Sequence, residues 1–88
     1  MTPLHFAAIN PNECVIEKLV AQNPDINVLD TWNQKPIHYA ACCTGPGPLR
    51  VLLAKGANVF DINNWKQSAL HFAAINGRAE NVREILDN

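Results

Sequence analysis

The sequence of 88 residues is poor in charge and has no long hydrophobic run. It holds seven basic and eight acidic residues, for a formal net charge of −1. Because the Lys and Arg residues are not clustered, binding through nucleic-acid phosphates has little support. The longest apolar run, residues 39–43, has five members, whereas a transmembrane helix needs about 20. We therefore expect no nucleic-acid partner and no membrane insertion.

Targeting and disulfide signals are also missing. The N-terminus reads Met-Thr-Pro-Leu-His, without the basic flank and apolar stretch of a signal peptide. The three cysteines, Cys14, Cys42 and Cys43, are odd in number and lack a paired framework. Disulfides are rare in the reducing compartments of the cell. We expect a cytoplasmic or nuclear protein with reduced cysteines.

Motifs of hydrolases and nucleotide-binding enzymes are absent as well. The single serine, Ser68, stands where a helix is predicted to begin, and the sequence contains no Gly-x-Ser-x-Gly motif. The glycine- and proline-rich residues 45–48 lack the lysine of a phosphate-binding loop, so we interpret them as a turn. The sequence thus predicts no catalytic residue, no cofactor and no enzymatic activity.

What the sequence does contain is a repeat. The sequence LHFAAIN occurs at residues 4–10 and again at residues 70–76, and the related IHYAA lies midway at residues 37–41. The spacing is 33 residues, and it also relates Trp32 to Trp65. We describe residues separated by this spacing, or by twice it, as being in register. A fixed period without insertions is typical of stacked units, each too small to bury its own apolar face.

The sequence of each unit predicts two helices, and an extended segment follows them in the first two units. Thr2 and Ser68 are good N-cap residues, whereas Lys35 replaces the cap in the middle unit. Gly56, and Asn23 in the first unit, are predicted to end the second helices. The predicted first helices span residues 3–10, 36–43 and 69–76, the second helices residues 13–22, 48–55 and 80–86, and the extended segments residues 25–33 and 58–66.

The T-P-L-H-x-A-A sequence of residues 2–8 and the G-A-N-V sequence of residues 56–59 resemble the ankyrin repeat. The resemblance covers the whole chain. It implies an all-α ankyrin-repeat solenoid of stacked helix-turn-helix units with β-hairpin-like finger loops. We expect a single domain over residues 1–88, with repeats at about 2–34 and 35–67 and a truncated repeat at 68–88.

The sequence departs from the family pattern at the finger tips and in the middle unit. Asn33 and Lys66 replace the family's tip glycine; asparagine tolerates a positive φ, but lysine there would cost about 1–2 kcal/mol. The prolines within residues 44–48 are expected to delay the second helix by a few residues. No polar capping unit is evident at either end, so we expect a segment of a longer array or a small array of marginal stability.

The three histidines His5, His38 and His71 are in register. Stacking should place them in a row about 8–10 Å apart, whereas the ligands of a zinc ion must converge to within about 2.3 Å of it. We therefore expect no metal site, and we predict that each ring bonds the backbone of a finger instead.

The cysteines offer a second possible metal site, because His38 and Cys42 lie one helical turn apart and Cys43 follows. Without a fourth ligand this signal is weak, and we interpret Cys42 and Cys14 as side chains that pack in small apolar positions. Cys43 takes a position held by asparagine in the other two units. We predict that it is the most exposed cysteine.

Trp32 and Trp65 fall at the predicted finger tips, where the family usually has a small polar residue. Large aromatic side chains that face a partner are typical of binding hot spots. The alternative is that the two rings stack on adjacent fingers and only stiffen this edge. In the resembled family, the matching positions of the concave face vary and contact partners. The other candidate contact residues are Thr31, Gln34, Ile9, Asn10, Cys42, Cys43, Asn64, Gln67, Ile75 and Asn76.

The resemblance implies a non-enzymatic module that binds a partner protein or peptide through the concave surface of the fingers and first helices. Two alternatives stay open: a regulatory segment of a larger enzyme or channel, and a small-ligand or nucleotide binder that uses the tryptophans. Asn27 resembles the asparagine that ankyrin-directed hydroxylases modify, and Phe60 occupies that position in the next unit.

Overall fold

The computed structural model describes residues 2–22 and 24–87. Six helices lie within these ranges, and none of their residues forms a β-strand. The predicted helix stop at Asn23 lies outside the described residues. The helices are α1 (Pro3–Ala8), α2 (Glu13–Val20), α3 (Pro36–Ala41), α4 (Gly47–Ala54), α5 (Ala69–Ile75) and α6 (Ala79–Leu86).

The helices form three hairpins that stack in chain order. Helix α1 packs on α2, α3 on α4, and α5 on α6. Helix α3 also contacts α1 and α5, while α4 contacts α2 and α6 in a second layer. The segments that connect one hairpin to the next are the first finger (residues 25–35) and the second finger (residues 58–68). The predicted all-α stack, with the middle unit between the other two, is confirmed.

Small residues form the centre of the stack. Ala8 and Ala41 of the first layer have no exposed surface, and Ile16 and Leu52 of the second layer are buried equally completely. An alanine side chain ends at Cβ, so a neighbouring helix backbone can pack close to it. The paired alanines of the repeat therefore allow the helices of neighbouring units to pack closely.

Each buried histidine ring joins the start of its own helix to the following finger. The Nδ1 atom of His5 lies 3.1 Å from the backbone N of Thr2 and accepts its hydrogen. The neutral ring then carries its own hydrogen on Nε2, which donates to the carbonyl oxygen of Gln34 at 2.9 Å. His5 has no exposed surface. The predicted bond to finger backbone is confirmed for this residue.

The middle unit repeats this arrangement without a capping hydroxyl. The N–H of Lys35 donates to Nδ1 of His38 at 3.0 Å, and Nε2 of His38 lies 2.9 Å from the carbonyl oxygen of Asp61 in the second finger. The Lys35 ammonium also pairs with the Asp61 carboxylate at 2.6 Å. His38 is 1% exposed. The prediction is confirmed here as well.

His71 makes only the first of these two bonds. Its Nδ1 accepts from the N–H of Ser68 at 2.9 Å. The residue is exposed, and among the described residues its Nε2 has no hydrogen-bond partner. Among the described residues, the bond from Nε2 to a finger carbonyl that His5 and His38 make is not found for His71, whose Nδ1 bonds the backbone of Ser68 at the end of the second finger.

Aromatic rings of the next unit contact the two buried histidines. His5 packs edge-on against Tyr39, with ring centroids 5.3 Å apart and an interplanar angle of 85°. His38 packs in the same way against Phe72, at 5.9 Å and 81°. Edge-to-face packing at this distance is favourable for aromatic rings. These two ring pairs join consecutive units.

The first helices are shorter than predicted. Helices α1 and α3 end two residues early, at residues 8 and 41, and α5 ends at residue 75. The N–H groups of Asn10 and Cys43 each bond the carbonyl three residues earlier, at 3.1 Å. A tightened last turn of this kind satisfies carbonyls that the α-helix leaves free.

Helix α4 begins at Gly47, one residue before the predicted start at Pro48. The register of α2 and α6 would place its start at residue 46. The delay is thus a single residue rather than a few, because proline fits within the first turn of a helix, where the N–H groups have no intrahelical partner.

Gly47 is required at the contact between α4 and α2. A Cβ atom at Gly47 would lie 2.9 Å from Cβ of Glu13, which is closer than packed carbon atoms approach. Gly45 offers a comparison, because a Cβ atom there would meet nothing within 4 Å. The two glycines of this turn therefore differ in their tolerance of a side chain.

We predict that Gly47→Ala lowers the free energy of unfolding by about 1–3 kcal/mol relative to Gly45→Ala, because overpacking forces the helices apart. The Gly45→Ala control should match or slightly exceed the parent, since alanine restricts the unfolded chain. Denaturant unfolding of the two variants measures the difference. Equal stabilities would contradict this account of the α2–α4 contact.

Candidate functional site

The tip of each finger is built around one side chain that accepts two backbone hydrogen bonds. In the first finger, Oδ1 of Asp30 accepts from the N–H groups of Trp32 at 2.9 Å and Gln34 at 2.8 Å. The N–H of Asp30 donates to the carbonyl oxygen of Gln34 at 3.0 Å and closes the loop. Trp32 is therefore held at the end of a short, closed turn.

The second finger repeats this geometry with an amide in place of the acid. Oδ1 of Asn63 accepts from the N–H groups of Trp65 at 2.9 Å and Gln67 at 3.0 Å. The N–H of Asn63 bonds the carbonyl oxygen of Gln67 at 3.1 Å. The sequence shows Asp30 and Asn63 in register, but sequence reasoning assigned them no role. The preference of Asp and Asn for bonding backbone two residues ahead was the available signal.

The predicted positive φ angles at the finger tips are confirmed. Asn33 has φ 57° and Lys66 has φ 60°. Each closes a tight turn, since their N–H groups donate to the carbonyls of Asp30 and Asn63 at 3.1 and 3.0 Å. Lysine pays a steric cost in this conformation that glycine does not.

A polar network fixes the first finger to α3. The hydroxyl of Tyr39 donates to Oδ2 of Asp30, and Nε2 of Gln34 donates to the Tyr39 oxygen at 3.1 Å. Burial, together with the bond to Asp30, raises the pKa of Tyr39 to about 12. Burial alone would raise the pKa of Asp30, but hydrogen bonds from Tyr39 and two backbone N–H groups lower it below its usual 3.8. Asp30 is thus a charged acceptor that holds structure rather than a base available for catalysis.

The two fingers are bonded to each other along their edge. The N–H of Asn64 donates to the carbonyl oxygen of Trp32 at 3.1 Å. The side-chain amide of Asn33 donates to that of Asn64 at 2.7 Å, and the amide of Asn63 donates to Oε1 of Gln34 at 3.2 Å. The tryptophans consequently lie on neighbouring fingers whose spacing is fixed by hydrogen bonds.

The predicted contact residues differ in exposure. Trp32 is 48% exposed and Trp65 is 57% exposed. The other predicted residues of the fingers and first helices are exposed at Thr31, Asn64, Ile9, Asn10, Ile75 and Asn76, and half-buried at Gln34, Gln67 and Cys42. Sequence reasoning missed three exposed apolar side chains of the fingers, namely Leu29, Phe60 and Ile62. Leu29 and Ile62 are in register, which was the available signal.

The prediction that Cys43 is the most exposed cysteine is wrong. Its side chain is buried, whereas Cys14 is exposed, so the predicted packing of Cys14 in an apolar position is also wrong. The chain around Cys43 is bonded to the next unit, because the side-chain N–H₂ of Asn81 in α6 donates to the carbonyls of Ala40, Ala41 and Cys43 at 3.3, 3.0 and 2.9 Å. Cys43 is 3% exposed.

Cys42 is half-buried, and its sulfur makes two polar contacts. Burial raises the pKa of the thiol. The Asn76 amide lies 3.5 Å from Sγ, which in turn lies 3.6 Å from the carbonyl oxygen of His38. A thiol with a raised pKa is a poor nucleophile and metal ligand. In the part of the chain that the structure describes, no three His, Cys, Asp or Glu side chains come together as a possible metal site.

No helix in residues 2–22 and 24–87 combines the length and apolarity needed to cross a membrane. A surface hollow of about 320 Å³ lies between α1, the end of α2 and the first finger, and neither tryptophan lines it. It is lined mainly by apolar groups, including Leu4, Leu19 and Val28.

Comparison with known proteins agrees with this architecture. A family model described as ankyrin repeats, in three copies, matches residues 1–88. The solved human ASB11 ankyrin repeat domain is similar, with a TM-score of 0.93 and 25% identity over 99% of this chain and 39% of that one. No similar sequence was found among curated proteins.

A second similar chain comes from the structure of the predatory endopeptidase Bd0816 of Bdellovibrio bacteriovorus in complex with the immunity protein Bd3460. Its TM-score is 0.91 and its identity 27%, over 99% of this chain and 46% of that one. This chain thus spans less than half the length of either solved chain. The family model matches residues 1–88, and the structure has the stacked helical hairpins that this match implies. The chain belongs to the ankyrin repeat family.

Proposed function

We propose that this chain is a non-enzymatic module that binds a partner protein or peptide on its finger surface, which we define as Leu29, Trp32, Ile62 and Trp65 with the ends of the first helices. Ankyrin repeats are a general protein-interaction module, and the family supports this class of function. The observation that carries the proposal is the pair of half-exposed tryptophans on fingers bonded to each other.

The finger surface contains four apolar side chains, which form two pairs in register: Leu29 with Ile62, and Trp32 with Trp65. Leu29 and Ile62 are 50% and 53% exposed, close to the exposure of the two tryptophans. Binding is favoured when a partner removes exposed apolar surface of this kind from water. Tryptophan contributes more than other residues because it adds a large apolar area and an N–H donor.

The rigidity of the fingers also favours binding. Trp32 and Trp65 stand on turns closed by Asp30 and Asn63, and the turns bond each other through Asn64. A surface that is already ordered loses little conformational entropy when it binds. The same surface would serve if these repeats position a catalytic domain in a larger enzyme or channel.

Replacing both Trp32 and Trp65 with alanine should abolish partner capture while the fold is retained. Hot-spot residues typically cost about 2 kcal/mol or more each, so losing both should weaken binding by about 1,000-fold. Helical circular dichroism and the unfolding midpoint should stay close to the parent, because neither side chain belongs to the buried core.

The matched control is Leu86→Ala, since Leu86 is exposed and apolar but lies on α6, away from the fingers. Proteins captured from a cell extract by the parent and by the control should be lost with the double variant. If all three capture the same proteins in equal amounts, the finger surface does not bind them.

Asn27 remains our proposed modification site. It is exposed at the start of the first finger, and its N–H donates to Oδ1 of Asp25 at 2.9 Å. We predict that mass spectrometry of the protein from its native cell finds Asn27 heavier by one oxygen atom, while the peptide with Phe60 in the same register is unmodified. A peptide of unmodified mass only would contradict the proposal.

A further inference from the structure

Trp32 and Trp65 present two half-exposed rings at the spacing of the repeat. Each ring stands at the tip of its finger, and the N–H of Asn64 joins the tips by donating to the carbonyl oxygen of Trp32 at 3.1 Å. The fingers follow the stacking of the first helices, and packed helices lie about 8–10 Å apart. A partner that contacts both rings in the same way must therefore repeat its apolar groups at about this distance.

This pair of rings does not depend on where the sequence begins or ends. Trp32 has the second finger beside it and is 48% exposed, whereas Trp65 has the first finger beside it and is 57% exposed. A neighbouring finger, whether it follows or precedes, thus leaves about half of the tryptophan open to a partner.

The free polar groups of the tryptophans and of Gln67 are hydrogen-bond donors. Within residues 2–22 and 24–87, neither indole N–H has an acceptor, and the side-chain N–H₂ of Gln67 has none either. The amide oxygen of Gln67 already accepts from the amide of Asn63 at 3.3 Å. The best partner for these groups brings carbonyl oxygens and few N–H groups of its own.

The two fingers contain two lysines, and one of them has no carboxylate partner among the described residues. Lys35 pairs with Asp61 at 2.6 Å. The carboxylate of Asp30 accepts hydrogen bonds within its own finger. Lys66, next to Trp65, is exposed and makes no salt bridge in the described part of the chain. The charges therefore complement a partner that is neutral at the rings and acidic beside Trp65.

We propose that the segment bound by the two tryptophans is a proline-rich polyproline II helix with an acidic residue beside Trp65. The proposal rests on the proposed function of the finger surface and names the chemistry of its partner. A polyproline II helix has three residues per turn and rises about 3.1 Å per residue, so residues i and i+3 lie about 9.3 Å apart on one face. Each can then pack on one tryptophan.

The hydrogen-bonding groups of this helix also match the surface. Proline has no backbone N–H, and the carbonyls of a polyproline II helix make no internal hydrogen bonds. They are free to accept from the indole N–H groups and from the amide of Gln67. Grooves lined by aromatic side chains are a recurring way to bind such segments, because the helix is ordered before it binds.

An α-helix or a β-strand fits the two rings less well. Residues seven apart on an α-helix lie about 10.5 Å apart, but the backbone groups of that helix bond each other and leave no carbonyl for the indoles. On a β-strand, residues three apart point to opposite faces, and residues two apart are separated by only about 6.6 Å. A strand also brings backbone N–H donors to groups that are themselves donors.

Titration of the 88-residue chain with synthetic peptides tests the proposal. The probe is a peptide of eight prolines with a glutamate at each end, so that it can bind in either direction. Trp32 and Trp65 are the only tryptophans, so intrinsic fluorescence and the two indole N–H signals in nitrogen-15 NMR report on this surface alone. We expect both indole signals to shift. Trp32→Ala and Trp65→Ala should each weaken binding by at least about tenfold.

Lys66→Asn is the matched variant for the charge, because Asn33 occupies this position in the first finger with nearly the same positive φ. The parent should bind the glutamate peptide about fivefold more tightly than a peptide of eight prolines with a lysine at each end. Lys66→Asn should bind the two peptides about equally. Equal binding of the two peptides by the parent would overturn the acidic part of the proposal.

A third peptide, with alternating valine and threonine between the same two glutamates, tests for an extended strand instead. A preference for this peptide, or indole signals that do not move with the proline peptide, would overturn the polyproline II assignment. If capture from cell extract is still lost with the double tryptophan variant, the proposed function stands and only the class of partner is wrong. Capture that does not depend on the tryptophans would remove both.

Discussion

A neutral imidazole ring buried between two units is the interaction on which the stack depends. In the first two units Nδ1 accepts from the N-cap and Nε2 donates to a finger carbonyl. Leaving one of these buried groups unpaired would cost about 1–3 kcal/mol. Burial lowers the pKa of His38 below its usual 6.5, and its backbone bonds offset only part of this. The stability that comes from the neutral ring is therefore present above pH 6.5 and is lost as the pH falls below it.

The same bonds connect the core to the finger surface. Each of the two buried histidines bonds a finger carbonyl, and the finger then closes on Asp30 or Asn63 and presents its tryptophan to solvent. The N–H groups of Trp32 and Trp65 are bonded within their own fingers, and that of Asn64 is bonded to the neighbouring finger. A stack with few charged residues can in this way present aromatic side chains at fixed positions.

Features that recur every 33 residues could be predicted from the sequence. A feature that depends on a single residue, without a counterpart in the other units, could not. The helices, the positive φ angles of Asn33 and Lys66 and the histidine bonds all recur, and the structure confirms them for the first two units. The bond to the carbonyl of the buried Cys43 comes from Asn81, which is in register with Val15 and Pro48, and neither has an amide to donate. The repeat boundaries and the extent of the array stay predictions.

The most direct measurement of the central claim is nitrogen-15 NMR of the three histidine rings at alkaline pH, where every ring is neutral. The account predicts that His5 and His38 carry their hydrogen on Nε2 and exchange it slowly with water, while the Nε2 hydrogen of exposed His71 exchanges rapidly. A hydrogen on Nδ1 of His5 or His38, or equally rapid exchange at all three rings, would contradict it.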